Sequence, residues 1–259
     1  MISEFKKLDR ELLSRLSSNN YSRRIKSHFA AYGVEYGFSR FFVIERNGDM
    51  LGLVSVFNSS MMISAFEGKS FGRDIIRELS GFIGMIRPET IELEKKFADE
   101  LEPMLRGQYK GDRRTEFAFV PKNVLPPLEV DELPKLDDVF RILAACFPKL
   151  ADSYELWLTD TSHRVRRGLS QSFLLGNYST ATIQYIVDGI ALVGHVGTIP
   201  EERGKFHARQ LLYWIGERLT QDGFEVRLFA RPHRVSYYEE IGFKECGIDT
   251  VLERISTDE

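Results

Sequence analysis

Cysteine is scarce in this chain: Cys146 and Cys246 are the only two, far apart in sequence and in no metal-ligand or disulfide pattern. That scarcity excludes a disulfide framework and a zinc-ribbon spacing, and leaves both thiols to be read as small buried hydrophobes. An excess of one charge is also missing. Lys and Arg number 35 against 38 Asp and Glu, a net charge of −3, without the basic surplus that marks a dedicated nucleic-acid binder. No apolar run approaches the roughly 18 residues of a membrane-spanning helix. The first residues, Met1-Ile2-Ser3-Glu4-Phe5-Lys6-Lys7, are charged and lack the apolar heart of a signal peptide. These absences lead us to expect a soluble cytoplasmic protein with no metal, no nucleic-acid partner and no membrane span.

What is present suits a globular protein. The 259 residues are 43% hydrophobic, enough for a core in one large domain or two small ones. Four of the nine prolines fall between Pro121 and Pro134, in a segment that can be neither helix interior nor central strand. The sequence is therefore divided into 1–120, a proline-rich linker over 121–135, and 136–259. In the first part, helices are expected near Asp9–Ser17, Ser22–Tyr32 and Arg73–Ile83. Strands are expected at Phe41–Ile44, Leu51–Phe57, Met61–Ala65, Thr90–Leu93 and Thr115–Val120, with a turn at Asn47-Gly48-Asp49. The second part repeats this order. Helices at Leu136–Cys146 and Ser153–Val165 precede strands at Gln171–Leu175 and Thr180–Val187, then a turn at Asp188-Gly189. The basic run His163–Arg167 reads as a solvated helix end.

The stretch Ile190–Gly223 carries the chemistry. A hydrophobic strand, Ile190–Ile199, ends at Pro200, and Glu201-Glu202 and the basic turn Arg203-Gly204-Lys205-Phe206-His207-Ala208 follow. The turn runs directly into a helix whose apolar face is Ala208, Leu211, Leu212, Ile215 and Leu219 and whose stop is Gly223. A basic turn delivered to a helix N-terminus is suited to hold an anion, because the first N–H groups lack internal partners and the helix dipole favours negative charge. Gly194 and Gly197 suit a bulge or a close backbone approach within the strand. Glu67-Gly68-Lys69-Ser70 imitates the tail of a phosphate-binding loop, but the glycine required five residues earlier is Ile63, so that match fails.

The turn Arg203–Ala208 resembles the pyrophosphate loop of the GNAT acetyltransferases, Arg/Gln-x-x-Gly-x-Gly/Ala, with Phe206 in place of a glycine. Downstream, Val235-Ser236-Tyr237-Tyr238-Glu239-Glu240-Ile241-Gly242-Phe243 resembles the family's Tyr-x-x-x-Gly-Phe segment, at the spacing the family requires. The resemblance spans roughly 136–255 and implies an α+β fold with mixed, mostly antiparallel sheets. With the repeated order of elements, it gives a tandem of two GNAT-like domains, the first degenerate. It implies an N-acetyltransferase that moves acetyl from acetyl-CoA to a small-molecule or peptide amine, in a monomer or homodimer. The alternative is a GNAT-fold scaffold or a non-catalytic CoA-binding module.

By the same resemblance, Arg203, Gly204, Lys205, Phe206, His207 and Ala208 would hold the pyrophosphate, and Val196, Gly197 and Thr198 would meet the pantetheine and the thioester. Tyr238 would protonate the departing thiolate, its ordinary pKa of about 10 keeping the proton in place. The bland reading of each remains open: an ordinary helix start, glycines that relieve crowding, an aromatic that packs its helix on the sheet. Tyr237, one residue before it, is expected to face elsewhere. His195 is the candidate base, on the face of Gly197 unless a bulge changes the register, although water can serve instead. Arg231 and Arg234, where the family commonly has Asn and Ala, are candidates for a CoA phosphate or plain surface charge.

Overall fold

The structure, a computed structural model, describes residues 1–255. The chain forms two compact units, Met1–Arg114 together with the C-terminal residues from Ile248, and Thr115–Gly247. The division read from the sequence follows chain order, whereas these units exchange their closing strands. Residues 121–135 fold within the second unit.

The first unit runs β1 (Ile2–Glu4), α1 (Arg10–Ser14), α2 (Asn20–Tyr32), β2 (Ser39–Arg46), β3 (Asp49–Phe57), β4 (Ser60–Ala65), α3 (Arg73–Ile86), β5 (Thr90–Leu93) and α4 (Lys95–Leu101), and enters β6 (Tyr109–Phe119). Asn19 and Ser22 form a capping box that starts α2. The turn at Asn47 and Gly48 has φ of 52° and 81°, the pair of positive values that a two-residue hairpin turn requires. β1 to β4 pair antiparallel in sequence and β4 pairs parallel with β5, so α3 is the crossover helix. β5 then pairs antiparallel with Thr250–Glu253 near the C-terminus.

The second unit has β7 (Val130–Asp131), α5 (Leu136–Cys146), α6 (Pro148–Ala151), α7 (Tyr154–Arg166), β8 (Gln171–Leu175), β9 (Ser179–Val187), β10 (Ile190–Thr198), α8 (His207–Gln221), β11 (Glu225–Ala230) and α9 (Val235–Ile241), and enters β12 (Phe243–Arg254). The pairing repeats that of the first unit. β7 to β10 are antiparallel neighbours, β10 and β11 are parallel across α8, and β11 closes antiparallel on Thr115–Ala118 of β6. The helices, hairpins and crossover expected in each half are therefore present. The sequence reading missed the short edges β1 and β7 and the helices α4 and α6, and it ran α1 three residues too long.

α8 fixes the site in place. Leu211, Leu212 and Ile215 are fully buried, as Leu219 nearly is. Burial of each such side chain stabilises the packed state by about 1.5–3 kcal/mol. Gly216 lets the helix come down on the sheet, since a Cβ there would lie 2.6 Å from the Phe119 ring. The proline-rich segment is held to the same helix, where fully buried Glu217 accepts a hydrogen bond from the Lys122 amide at 2.6 Å. Two expectations need correction. Cys246 is exposed rather than buried. In the basic run, Arg164 is buried and paired with Asp160 at 2.8 Å, because the i, i+4 spacing offers its charge a partner on the helix itself.

Candidate functional site

The site begins where β10 leaves its parallel neighbour. β10 and β11 pair over Ile190↔Glu225 to Val193↔Leu228 and no further, although both strands continue. On its other side β10 stays with β9, but the register shifts between Gly194 and Gly197. This is the bulge that the two glycines foretold. His195 takes φ 47° in it, and Gly197 is buried so closely against α5 that a Cβ would meet Cys146 Sγ at 2.9 Å. The last turn of β10 thus presents an edge that β11 does not cover.

Beyond β10 the chain makes a 3-10 turn over Pro200–Glu202 and enters α8. Gly204 has φ 84° and Phe206, at the N-cap, φ 64°. The left-handed conformation at residue 206 explains why a glycine is usual at that place in the motif: only glycine adopts it without cost. No side chain caps the helix, so its first amides lack the partner that Ser or Asp would supply. The Phe206 ring is 63% exposed and lies under the Arg209 guanidinium.

These elements line one cavity of about 610 Å³ inside the second unit. Val196, Gly197 and Thr198 come from β10; Glu202, Arg203 and Gly204 from the turn; Phe206, His207, Ala208 and Arg209 from the start of α8. Cys146 and Phe147 come from the end of α5, and Arg234, Tyr237 and Tyr238 from the start of α9. Most of the expected site residues therefore meet in one place. His195, Lys205 and Arg231 do not line this cavity. The bulge leaves His195 exposed with its ring against Phe147, at 6.2 Å between centroids; Lys205 turns to Glu202; Arg231 is exposed beyond the end of β11.

The cavity also holds residues that sequence reasoning passed over. Tyr237 lines it beside Tyr238, the two rings edge to face at 5.2 Å, because the cavity meets the beginning of a short helix and takes side chains from adjacent positions. Cys146 donates from Sγ to the Thr198 carbonyl at 3.2 Å, and Arg203 Nε donates to the same oxygen at 3.2 Å. Ser179 holds the strand from the other side, through the Gly197 carbonyl at 3.1 Å and Thr198 Oγ1 at 2.8 Å.

Electrostatics divides the cavity into two ends. At the tyrosine end, burial pushes the Tyr238 phenol up, Tyr237 adds to the effect and Arg234 opposes it. Burial also raises Tyr237, against Arg209 and Arg234. Tyr238 packs on Phe117 and Phe243 and keeps its proton at neutral pH. At the turn, the hydrogen bond from Lys205 holds the Glu202 carboxylate below its usual range, burial opposes it and His207 reinforces it. Among the described residues no group of three or more His, Cys, Asp and Glu is placed to hold a metal ion, and no helix is long and apolar enough to cross a membrane.

At the level of sequence, no protein-family model and no curated protein matches the chain. Solved structures do. An acetyltransferase of the GNAT family from Colwellia psychrerythraea is 12% identical with a TM-score of 0.60, over 99% of this chain and 100% of that one. A GCN5-related N-acetyltransferase from Sphaerobacter thermophilus is 17% identical with a TM-score of 0.62, over 92% of this chain and 87% of the other. A tandem GNAT protein from the clavulanic acid biosynthesis pathway, solved without AcCoA, is 10% identical with a TM-score of 0.58, over 100% and 99% of the two chains. At such identities the likeness is one of fold: the chain shares the mixed α/β fold of GNAT acetyltransferases, and a tandem GNAT protein is among the structures it resembles.

Proposed function

We propose that the second unit is an acyl-CoA-dependent N-acetyltransferase that passes acetyl from acetyl-CoA to a small-molecule or peptide amine. The observation that carries this reading is the parting of β10 from β11 after Val193, above an uncapped helix start and on the same cavity as the half-buried phenol of Tyr238. The residues fit the cofactor. The bulged edge at Val196–Thr198 lies beyond the last pair that β10 makes with β11, which suits an extended amide-bearing arm. The amides at the head of α8 and Gly204, with the charges of Arg203 and Lys205, suit a diphosphate. Arg234, on the cavity wall, suits a further phosphate better than Arg231 does.

Acetyl-CoA, when bound, supplies an acetyl group activated as a thioester. The protein's part is to orient and to move a proton. Backbone N–H near Thr198 would polarise the thioester carbonyl. Tyr238 holds a proton at Oη for a departing thiolate, and its raised pKa keeps that proton available across the neutral range. Proton removal from the amine falls to water, since His195 lies outside the cavity lining. Calorimetry with acetyl-CoA, followed by thiol release over a panel of amines, tests the reading. Saturable binding with release on some amine is the expected result. Absence of binding at millimolar acetyl-CoA would remove it.

A further inference from the structure

The phosphate cradle is not bare. Glu202 Oε2 lies 2.8 Å from Lys205 Nζ and 3.2 Å from His207 Nε2, so a single carboxylate oxygen draws two nitrogen-bearing side chains of the turn. His207 is further fixed by the Tyr178 ring, at 4.2 Å between centroids. Glu202 and His207 both stand in the cavity wall. A diphosphate seated on the amides of α8 would need the same side chains and would bring its own negative charge against this carboxylate.

We propose that Glu202 is an internal anion that holds Lys205 and His207 in the free protein and is exchanged for a phosphate of the incoming cofactor. This rests on the acetyl-CoA reading above and adds a regulatory element to it. The Glu202 side chain is 29% exposed and Lys205 57%, so the pair opens to solvent without unpacking the core. The exchange lowers affinity in return for specificity: a ligand without phosphate gains nothing from displacing the carboxylate, whereas a phosphate ester replaces one charge-assisted contact with several. The same contact keeps the two side chains ordered for the ligand.

Calorimetric titration of the full chain with CoA, at low salt and at about 0.5 M salt, compares the wild type with Glu202→Gln, whose fold is checked by its melting curve. At low salt the variant is expected to bind CoA about two- to fivefold more tightly, the range that exposed ion pairs span. The gain should shrink at high salt, where screening has already weakened the competing carboxylate. Equal or weaker binding by Glu202→Gln overturns the proposal, as does a gain that salt leaves unchanged. If the wild type does not bind CoA, the cofactor reading fails for the free protein. The exchange, which requires the cofactor to displace the carboxylate in the wild type, then fails with it.

Discussion

The Arg209 guanidinium lies 5.3 Å over the centre of the Phe206 ring, one turn into the helix whose N-cap Phe206 forms in a left-handed conformation. The ring thus has a place on the helix surface and does not depend on the cradle for its contacts. A side chain in that conformation costs about 1–2 kcal/mol, and an exposed cation–π contact returns roughly 0.5–1 kcal/mol. Phe206→Gly removes both. A net stabilisation of up to about 1.5 kcal/mol is expected, measured by denaturant unfolding, with acetyl-CoA affinity kept or improved. A large loss of affinity would show that the ring packs against the nucleotide.

Tyr237 and Tyr238 both reach the cavity, but they differ in surroundings. Tyr237 lies under Arg209, while Tyr238 is held between Phe117 and Phe243. Tyr238→Phe is expected to lower kcat by about 100-fold or more, the usual scale for a lost general acid, with acetyl-CoA affinity unchanged. Tyr237→Phe should leave kcat within a few-fold of the wild type. Because burial raises the Tyr238 pKa, its deprotonation should not curtail the rate until above about pH 10. An unchanged kcat in Tyr238→Phe refutes the assignment.

The parts of this site that were legible in the sequence are those fixed by neighbours along the chain. Ile190–Gly223 shows a strand, a basic turn and a 3.6-residue apolar period in unbroken order, and Gly194 and Gly197 announce a bulge that the backbone adopts. What stayed hidden depends on partners far away in sequence. The strand Thr115–Val120 alternates in the same way whichever strand it joins, so nothing local assigns it to β11 rather than β5. Cys146 and Phe147 enter the cavity because Gly197 lacks the Cβ that would hold α5 off. Glu202 read as one of two acids before a basic turn; its double contact needed the fold of the turn itself.

In the first unit, Asp249 is buried and hydrogen-bonded by the Tyr21 hydroxyl. Burial raises its pKa to about 6, Glu92 adds to the rise, and Tyr21, Arg24 and Arg114 oppose it. The unfolded carboxyl titrates near 3.9, so the folded state binds this proton more readily. The stabilisation is complete below about pH 4 and is lost as pH rises through about 6. Asp249→Asn keeps an acceptor for Tyr21 and carries no charge. It should be more stable than the wild type at pH 7–8 by on the order of 1–3 kcal/mol, and the difference should vanish toward pH 4. A pH-independent difference between the two proteins contradicts the titration.

Glu217 is a fully buried carboxylate that the catalytic reading does not use. Its Oε1 accepts from the Lys122 amide, at the start of a stretch that prolines leave poor in backbone hydrogen bonds. Glu217→Ala takes away this acceptor and leaves the Lys122 N–H without its partner, at a cost of about 1–3 kcal/mol. Glu217→Gln retains an acceptor oxygen and should lose less. The effect should be local, so limited proteolysis is the sensitive measurement. Cleavage between residues 121 and 135 is expected to accelerate in Glu217→Ala well before global unfolding, and to stay near the wild-type rate in Glu217→Gln. Equal protection in all three proteins would mean that packing alone holds the segment in place.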